Sequence, residues 1–328
     1  MPATDWPIIG NTQAKDFFES LLLCERLSPG SIGGTYIVSG PDKVGRGSSI
    51  EFFIQRLLGN DEQHAAGTID MWPDVFRLRR KEEKHEIGVD LAREFSARLA
   101  LSSFSDSYRV GIIHEADLLT IEAANALLKS LEEASDRAII FLVTEEADRL
   151  PETIRSRSQL IMFRPVSTDE IYEWLVSEQG LERPFAKNVA RLSAGRPGWA
   201  AQLARDPEIL ETYLEPAQVF VSSFAMRLHE RWKASSALLS GHKGVDAVET
   251  AENCLKAWRQ VTRDIMMANL NQPEYMRYAF LEQEIRSLLP RFSLNEARHL
   301  EEQLRRAKEY LRANVSPANV LENILIAL

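Results

Sequence analysis

The run Gly40-Pro-Asp-Lys-Val-Gly45-Arg46-Gly47 has the G-x-x-x-x-G frame of a loop that wraps phosphate with backbone N–H groups. Such a loop acts on a nucleotide when a Lys after the second Gly reaches the outer phosphates and the next residue, Ser or Thr, ligates Mg²⁺. Those two places hold Arg46 and Gly47. A planar guanidinium does not replace a compact ammonium in this cradle, and Gly47 has no hydroxyl; Ser48 or Ser49 offers one only from a shifted register. A second run, Arg109-Val-Gly-Ile-Ile-His114-Glu115-Ala-Asp117, is an apolar strand with polar residues at its C-terminal end, where ligands of open α/β sheets bind. A nucleotide hydrolase needs an Asp directly after this strand to orient Mg²⁺ and then a Glu to polarise water. His114 replaces that Asp while Glu115 remains, so productive hydrolysis is not expected. Adjacent residues at a strand end point in opposite directions, so His114 and Glu115 are not expected to converge on a metal ion.

Positioning these runs requires particular elements. Apolar residues at Ala14, Phe17, Phe18, Leu21 and Leu22 predict a helix over 11–27. Thr35 to Ser39 reads as a strand, the glycine loop follows, and helical spacing resumes from Ser48 to Leu58. Strands are expected again at Asp74 to Arg79, Val110 to Ile113, Ala138 to Val143 and Gln159 to Phe163, with helices at Val89 to Leu101 and Thr120 to Glu133 between them. Alternation of this kind predicts a parallel sheet covered on both faces. After Pro165 the strand signal ends. Residues 168–204 predict three short helices, and longer ones are expected at 208–240, 245–270, 274–289, 293–313 and 317–328, with Ser293 and Glu296 spaced as a capping box. The fold class is thus α/β plus all-α, in three domains: 1–165, 166–206 and 207–328.

Composition narrows the possible roles. Residues 1–150 carry 16 basic and 25 acidic side chains and residues 151–328 carry 23 of each, so neither half has the basic footprint of unaided DNA binding. Cys24 and Cys254 alone cannot build a disulfide framework or a Cys-rich zinc site, which points to a reducing cytoplasm. The N-terminus lacks an export signal, and no apolar run approaches membrane-spanning length.

The combination of Thr120 to Glu133, Phe141 to Thr144 and Leu150-Pro-Glu-Thr-Ile-Arg-Ser156-Arg157-Ser158 resembles the AAA+ subunits of the bacterial replicative clamp loader of DNA polymerase III. Ile9 to Gln13, Trp72 to Val75, Ile87 to Asp90, Leu101-Ser102 and Trp258 to Asp264 extend the likeness along the chain. The resemblance implies an AAA+ P-loop domain, a helical lid and a helical collar. It departs from the family's motor subunits at Arg46, Gly47 and His114, and at the absence of any Cys between Leu58 and Trp72, where those subunits carry a four-cysteine zinc module.

What the resemblance implies is a stator that supports ATP-driven loading of the sliding clamp onto primed DNA without hydrolysing ATP itself. Gly40, Gly45, Arg46, Gly47, His114, Glu115 and Thr144, the last at the family's first-sensor position, would form a degenerate nucleotide site with no productive ATP, Mg²⁺ or zinc. Ser156 and Arg157 match the family's Ser-Arg-Cys motif, with Arg157 as an arginine finger offered in trans. The second-sensor place falls at Gly198, with Arg196 nearby. Gamma, tau and delta subunits would be the partners in a hetero-oligomer, with clamp and DNA contacted indirectly and no membrane involved. A gamma- or tau-type motor and a non-catalytic AAA+ adaptor outside replication are the alternatives.

Overall fold

The computed structural model describes residues 6–59, 68–81, 84–101, 108–132, 137–290 and 292–328. Ser102 and Glu133 of the family-like runs lie outside them. Through residue 171 the order is α1 (Thr12–Leu27), β1 (Gly34–Ser39), α2 (Arg46–Leu58), β2 (Val75–Leu78), α3 (Val89–Leu99), β3 (Arg109–Ile113), α4 (Ile121–Glu132), β4 (Ala138–Thr144), the single turn α5 (Glu152–Arg155) and β5 (Ser158–Met162). The strands form a five-stranded sheet in the order β2-β3-β4-β1-β5. Every pair is parallel. This order places β1 beside β4, with Ser39 opposite Thr144, so the glycine loop leaves the sheet next to the end of the fourth strand.

Both faces of the sheet are covered, as near-continuous apolar strands require. On one face Phe18, Ile50, Phe53 and Ile54 of α1 and α2 pack on Val38, Phe141 and Ile161. On the other, Phe95, Ala123, Leu127, Leu150 and Ile154 cover Ile37, Ile113, Ile140 and Leu142. Residue alternation along β1 and β4 thus sends successive side chains into different cores.

By packing, the chain divides into two compact units, Met1–Ile171 with Gly195–Trp199, and Tyr172–Ala194 with Ala200–Leu328. Residues 166–206 are therefore shared between the units. The remaining helices are α6 (Thr168–Ser177), α7 (Arg183–Ser193), α8 (Pro197–Arg205), α9 (Pro207–Ser223), α10 (Leu228–Leu238), α11 (Val245–Asn269), α12 (Glu282–Leu288), α13 (Leu294–Arg312) and α14 (Pro317–Ala327). The second unit is built on α11, whose buried Trp258 stacks on Phe220 at 5.1 Å and donates Nε1–H to the Pro216 carbonyl at 2.9 Å. Leu300, Leu304 and Leu311 and the stripe Val320, Leu321, Ile324 and Leu325 are buried core. The capping box at Ser293 and Glu296 is formed, with Ser293 N–H donating to the Glu296 carboxylate at 2.6 Å.

Two expected helices change. The one over 208–240 breaks between Ser223 and Leu228, where the Arg227 N–H donates to the Glu230 carboxylate at 2.6 Å and starts a new helix. The one over 274–289 begins only at Glu282. Buried Asp264 accepts the N–H groups of Arg277 and Tyr278 at 3.0 and 2.7 Å, an arrangement a helix through 277 and 278 would not permit. Among the described residues, no helix is long and apolar enough to cross a membrane.

Candidate functional site

The loop after β1, the start of α2, the turn after β3, the end of β4 and the first turn of α8 at Gly198 line a cavity of 710 Å³. Its lining includes Gly45, Arg46, Gly47, His114, Glu115 and Thr144, so most of the expected nucleotide-site residues converge in space. Gly40 shapes the loop from behind. Its φ is +144°, and a Cβ there would stand 2.2 Å from the Phe163 carbonyl oxygen, so only glycine passes at this point. Ser48 lines the cavity, whereas Ser49 is fully buried and its hydroxyl has no hydrogen-bond partner.

Arg46 does not extend into the cradle as a loop lysine would. It is 9% exposed and donates Nη1–H to the Thr144 carbonyl, with Asp42 Oδ1 at 3.9 Å from Nη2. Burial lowers its pKa, opposed by the charges of Asp42, Glu145 and Asp117. The Thr144 hydroxyl is likewise committed: it donates to Asp117 Oδ1 at 2.9 Å and accepts the Glu146 N–H at 3.2 Å, capping the next turn.

At the magnesium-orienting position, His114 Nε2 stands 3.4 Å from Nη1 of Arg77 on β2, and Arg77 is itself held by Asp70 and by Glu51 at 2.8 Å. Burial, then the charges of Arg79, Arg77 and Arg46, push the imidazole down to about 4, so it is neutral at physiological pH. Glu115 leaves the strand in the left-handed region, with φ 51°. His114 and Glu115 both line this cavity. Even so, among the described residues no three His, Cys, Asp or Glu side chains are grouped to hold a metal ion.

The ionised lining consists of Lys43 and Arg46 against Asp42, Glu115, Asp117 and Glu145. A polyphosphate would meet more carboxylates than cations, and the one buried cation already serves a carbonyl.

Lys43 and Arg77 are the partners sequence reasoning missed; Asp117 stood at the end of the second run, but its bond to the Thr144 hydroxyl was not foreseen. Lys43 has φ 59°, accepts the Gly198 N–H on its carbonyl at 2.9 Å and sets Nζ 4.4 Å from the centre of the Trp199 ring. Gly198 therefore touches the loop by its backbone, while Arg196 lies over Trp199 at 5.9 Å. Only the Gly-rich context around Lys43 signalled an unusual turn.

Ser156 and Arg157 sit apart from the cavity lining, on the exposed turn between α5 and β5. Arg157 Nη1 donates to the Thr153 carbonyl at 3.1 Å and to Ser156 Oγ at 3.3 Å, while Arg155 pairs with Asp148 at 2.9 Å. Ile154 beside them is fully buried and anchors the turn in the sheet's core.

The family described as "DNA polymerase III, delta subunit" matches over residues 18–167. The delta-prime subunit of Escherichia coli K12 is 37% identical over 131 residues, 40% of this chain. Residues 18–167, less than half of the chain, carry this likeness to the delta-prime subunits of DNA polymerase III. The Bacillus subtilis delta-prime subunit is 26% identical over 73% of this chain, and the B. subtilis tau subunit 38% identical over 50% of it. The chain spans 39% of the E. coli relative's length and 70% of the B. subtilis delta-prime subunit's. Among solved structures, a gamma subunit-related protein from Thermotoga maritima shares the fold with a TM-score of 0.50 at 19% identity, over 94% of this chain and 97% of that one.

Proposed function

We propose that this protein is a non-hydrolysing, delta-prime-type subunit of the DNA polymerase III clamp loader. It would work as the stator of a hetero-oligomer with gamma or tau and delta, supporting the loading of the sliding clamp onto primed DNA in a reducing cytoplasm. The observation that carries the reading is the internal saturation of the nucleotide cradle within a delta-prime-like domain. Arg46 is bonded to the Thr144 carbonyl, and His114 stands beside Arg77 where a magnesium-orienting carboxylate is needed. The similar tau subunit raises the motor reading, and the same three positions, 46, 47 and 114, weigh against it.

Arg157 is the residue through which a stator of this kind would act on a neighbour. Its planar fork matches a phosphate edge, so in trans it can stabilise charge developing on a γ-phosphate. The helical second unit would supply the collar contacts.

The test is reconstitution with gamma or tau and delta. The chain should co-elute with them and support clamp- and DNA-stimulated ATPase. Arg157→Ala should lower that rate without disturbing assembly, while Arg155→Ala should be mild. Failure to assemble would sink the stator reading. Equal loss from both substitutions would reduce the finger to a general basic patch.

A further inference from the structure

We infer that Arg46 is a positioning residue for the segment 145–157, holding the turn that carries Arg157 in one place whether or not a nucleotide is near. The inference rests on the proposed role of Arg157 and adds to it the means of its placement.

The path is short. The Thr144 carbonyl accepts two hydrogen bonds, one from Arg46 and one from the Gly40 N–H at 3.2 Å, so the last residue of β4 is fastened to both ends of the glycine loop. From Thr144 onward the chain is pinned at successive residues. The Thr144 hydroxyl reaches Asp117 at 2.9 Å and holds the Glu146 N–H at 3.2 Å. Ser39 Oγ accepts the Ala147 N–H at 3.2 Å. Asp117 then faces Arg149 at 3.8 Å, and Arg149 pairs with Glu146 at 2.9 Å. Leu150 and Ile154 enter the core, and the Arg157 N–H closes on the Ile154 carbonyl at 3.1 Å. Arg46 donates to the carbonyl where this series begins, and it is 9% exposed, so water competes little for the bond. A loop lysine waiting for phosphate would leave the Thr144 carbonyl to the Gly40 N–H alone until ligand arrived. A side chain covalently part of α2 supplies the tie permanently, which suits a subunit that presents a finger without a nucleotide cycle of its own.

The experiment uses the full chain, alone and in the reconstituted loader. Arg46→Met keeps the aliphatic stem and removes the donors, and Arg46→Lys restores one donor. Thermal unfolding first establishes that each variant folds; if Arg46→Met does not, Arg46→Gln takes its place. In the isolated chain, Arg46→Met should raise amide hydrogen exchange across 145–157 about tenfold while β1 and β3 stay protected, and Arg46→Lys should recover part of the protection. In the loader, Arg46→Met should reproduce roughly half or more of the kcat loss of Arg157→Ala, with KM for ATP unchanged. Combined with Arg157→Ala it should add nothing, because both act through one group.

Unchanged exchange in 145–157 would overturn the inference, as would additive losses in the double variant or full activity of Arg46→Met beside an impaired Arg157→Ala. Loss of no activity from Arg157→Ala would instead remove the finger reading. The exchange measurement would then still decide whether Arg46 holds the segment.

Discussion

The glycine loop and the turn at 152–157 each carry an arginine suited to phosphate, and the fold treats the two oppositely. Arg46 is buried and spends its fork on the Thr144 carbonyl, while Arg157 is exposed and leans on the Thr153 carbonyl and Ser156. A guanidinium moved out of water must be given acceptors, or its desolvation goes uncompensated. Meeting that requirement turns Arg46 into structure. An arginine at the surface keeps its hydration and can exchange one partner for another at small cost, which is what a group acting on a second molecule needs.

The sharpest way to break this contrast is Arg157→Lys. It keeps the charge and loses the fork, so if bidentate geometry matters the loader's stimulated ATPase should fall about tenfold or more at the site this subunit serves. Full activity of the lysine variant would show that charge alone suffices.

Gly40→Ala probes the loop as architecture. A Cβ 2.2 Å from the Phe163 oxygen at φ +144° should lower stability by about 3 kcal/mol, read as a shift of the denaturation midpoint in urea. A shift near zero would mean that the loop relaxes easily and is not held for its bend.

His114 offers a pH measurement. The folded imidazole titrates at about 4 against the ordinary 6.5, so below pH 6.5 the unfolded chain binds a proton that the folded chain refuses until about pH 4. Its contribution is therefore present above pH 6.5 and lost as the pH falls through that window. Comparing wild type with His114→Gln should show a difference in acid destabilisation of about 1–3 kcal/mol between pH 6.5 and 4, the lower end allowing for screening at a partly exposed group. Parallel pH curves would place the ring in water rather than against Arg77.

The smallest effect is expected from restoration. Arg46→Lys with Gly47→Thr and His114→Asp supplies the missing groups, yet an Asp at 114 stands within reach of Arg77 and should pair with it. Nucleotide affinity in fluorescence titration should rise only about severalfold, and adding Arg77→Gln should raise it further. If all four changes together leave binding undetectable in a folded protein, the loop backbone itself has lost its phosphate-binding shape.

Much of this protein was legible without coordinates. Parallel strands separated by amphipathic helices follow from apolar runs such as Ala138 to Val143, because burial on two faces leaves no room for alternation. The loss of a hydroxyl at Gly47 and of a carboxylate at His114 is covalent fact, and no packing can return either. The capping box at Ser293 is equally local, needing only residues three apart. Where the reading fell short, the deciding groups lie far apart in sequence. The helix expected over 274–289 yields to Asp264, ten or more residues upstream, and the fate of Arg46 depends on a carbonyl 98 residues away. Arg77 meets His114 only because β2 pairs with β3. Residue type and spacing determine which bonds a side chain is able to make. Which of them it does make is decided by the parallel sheet that brings strand ends together, and by burial that forces each charge brought there to find a partner.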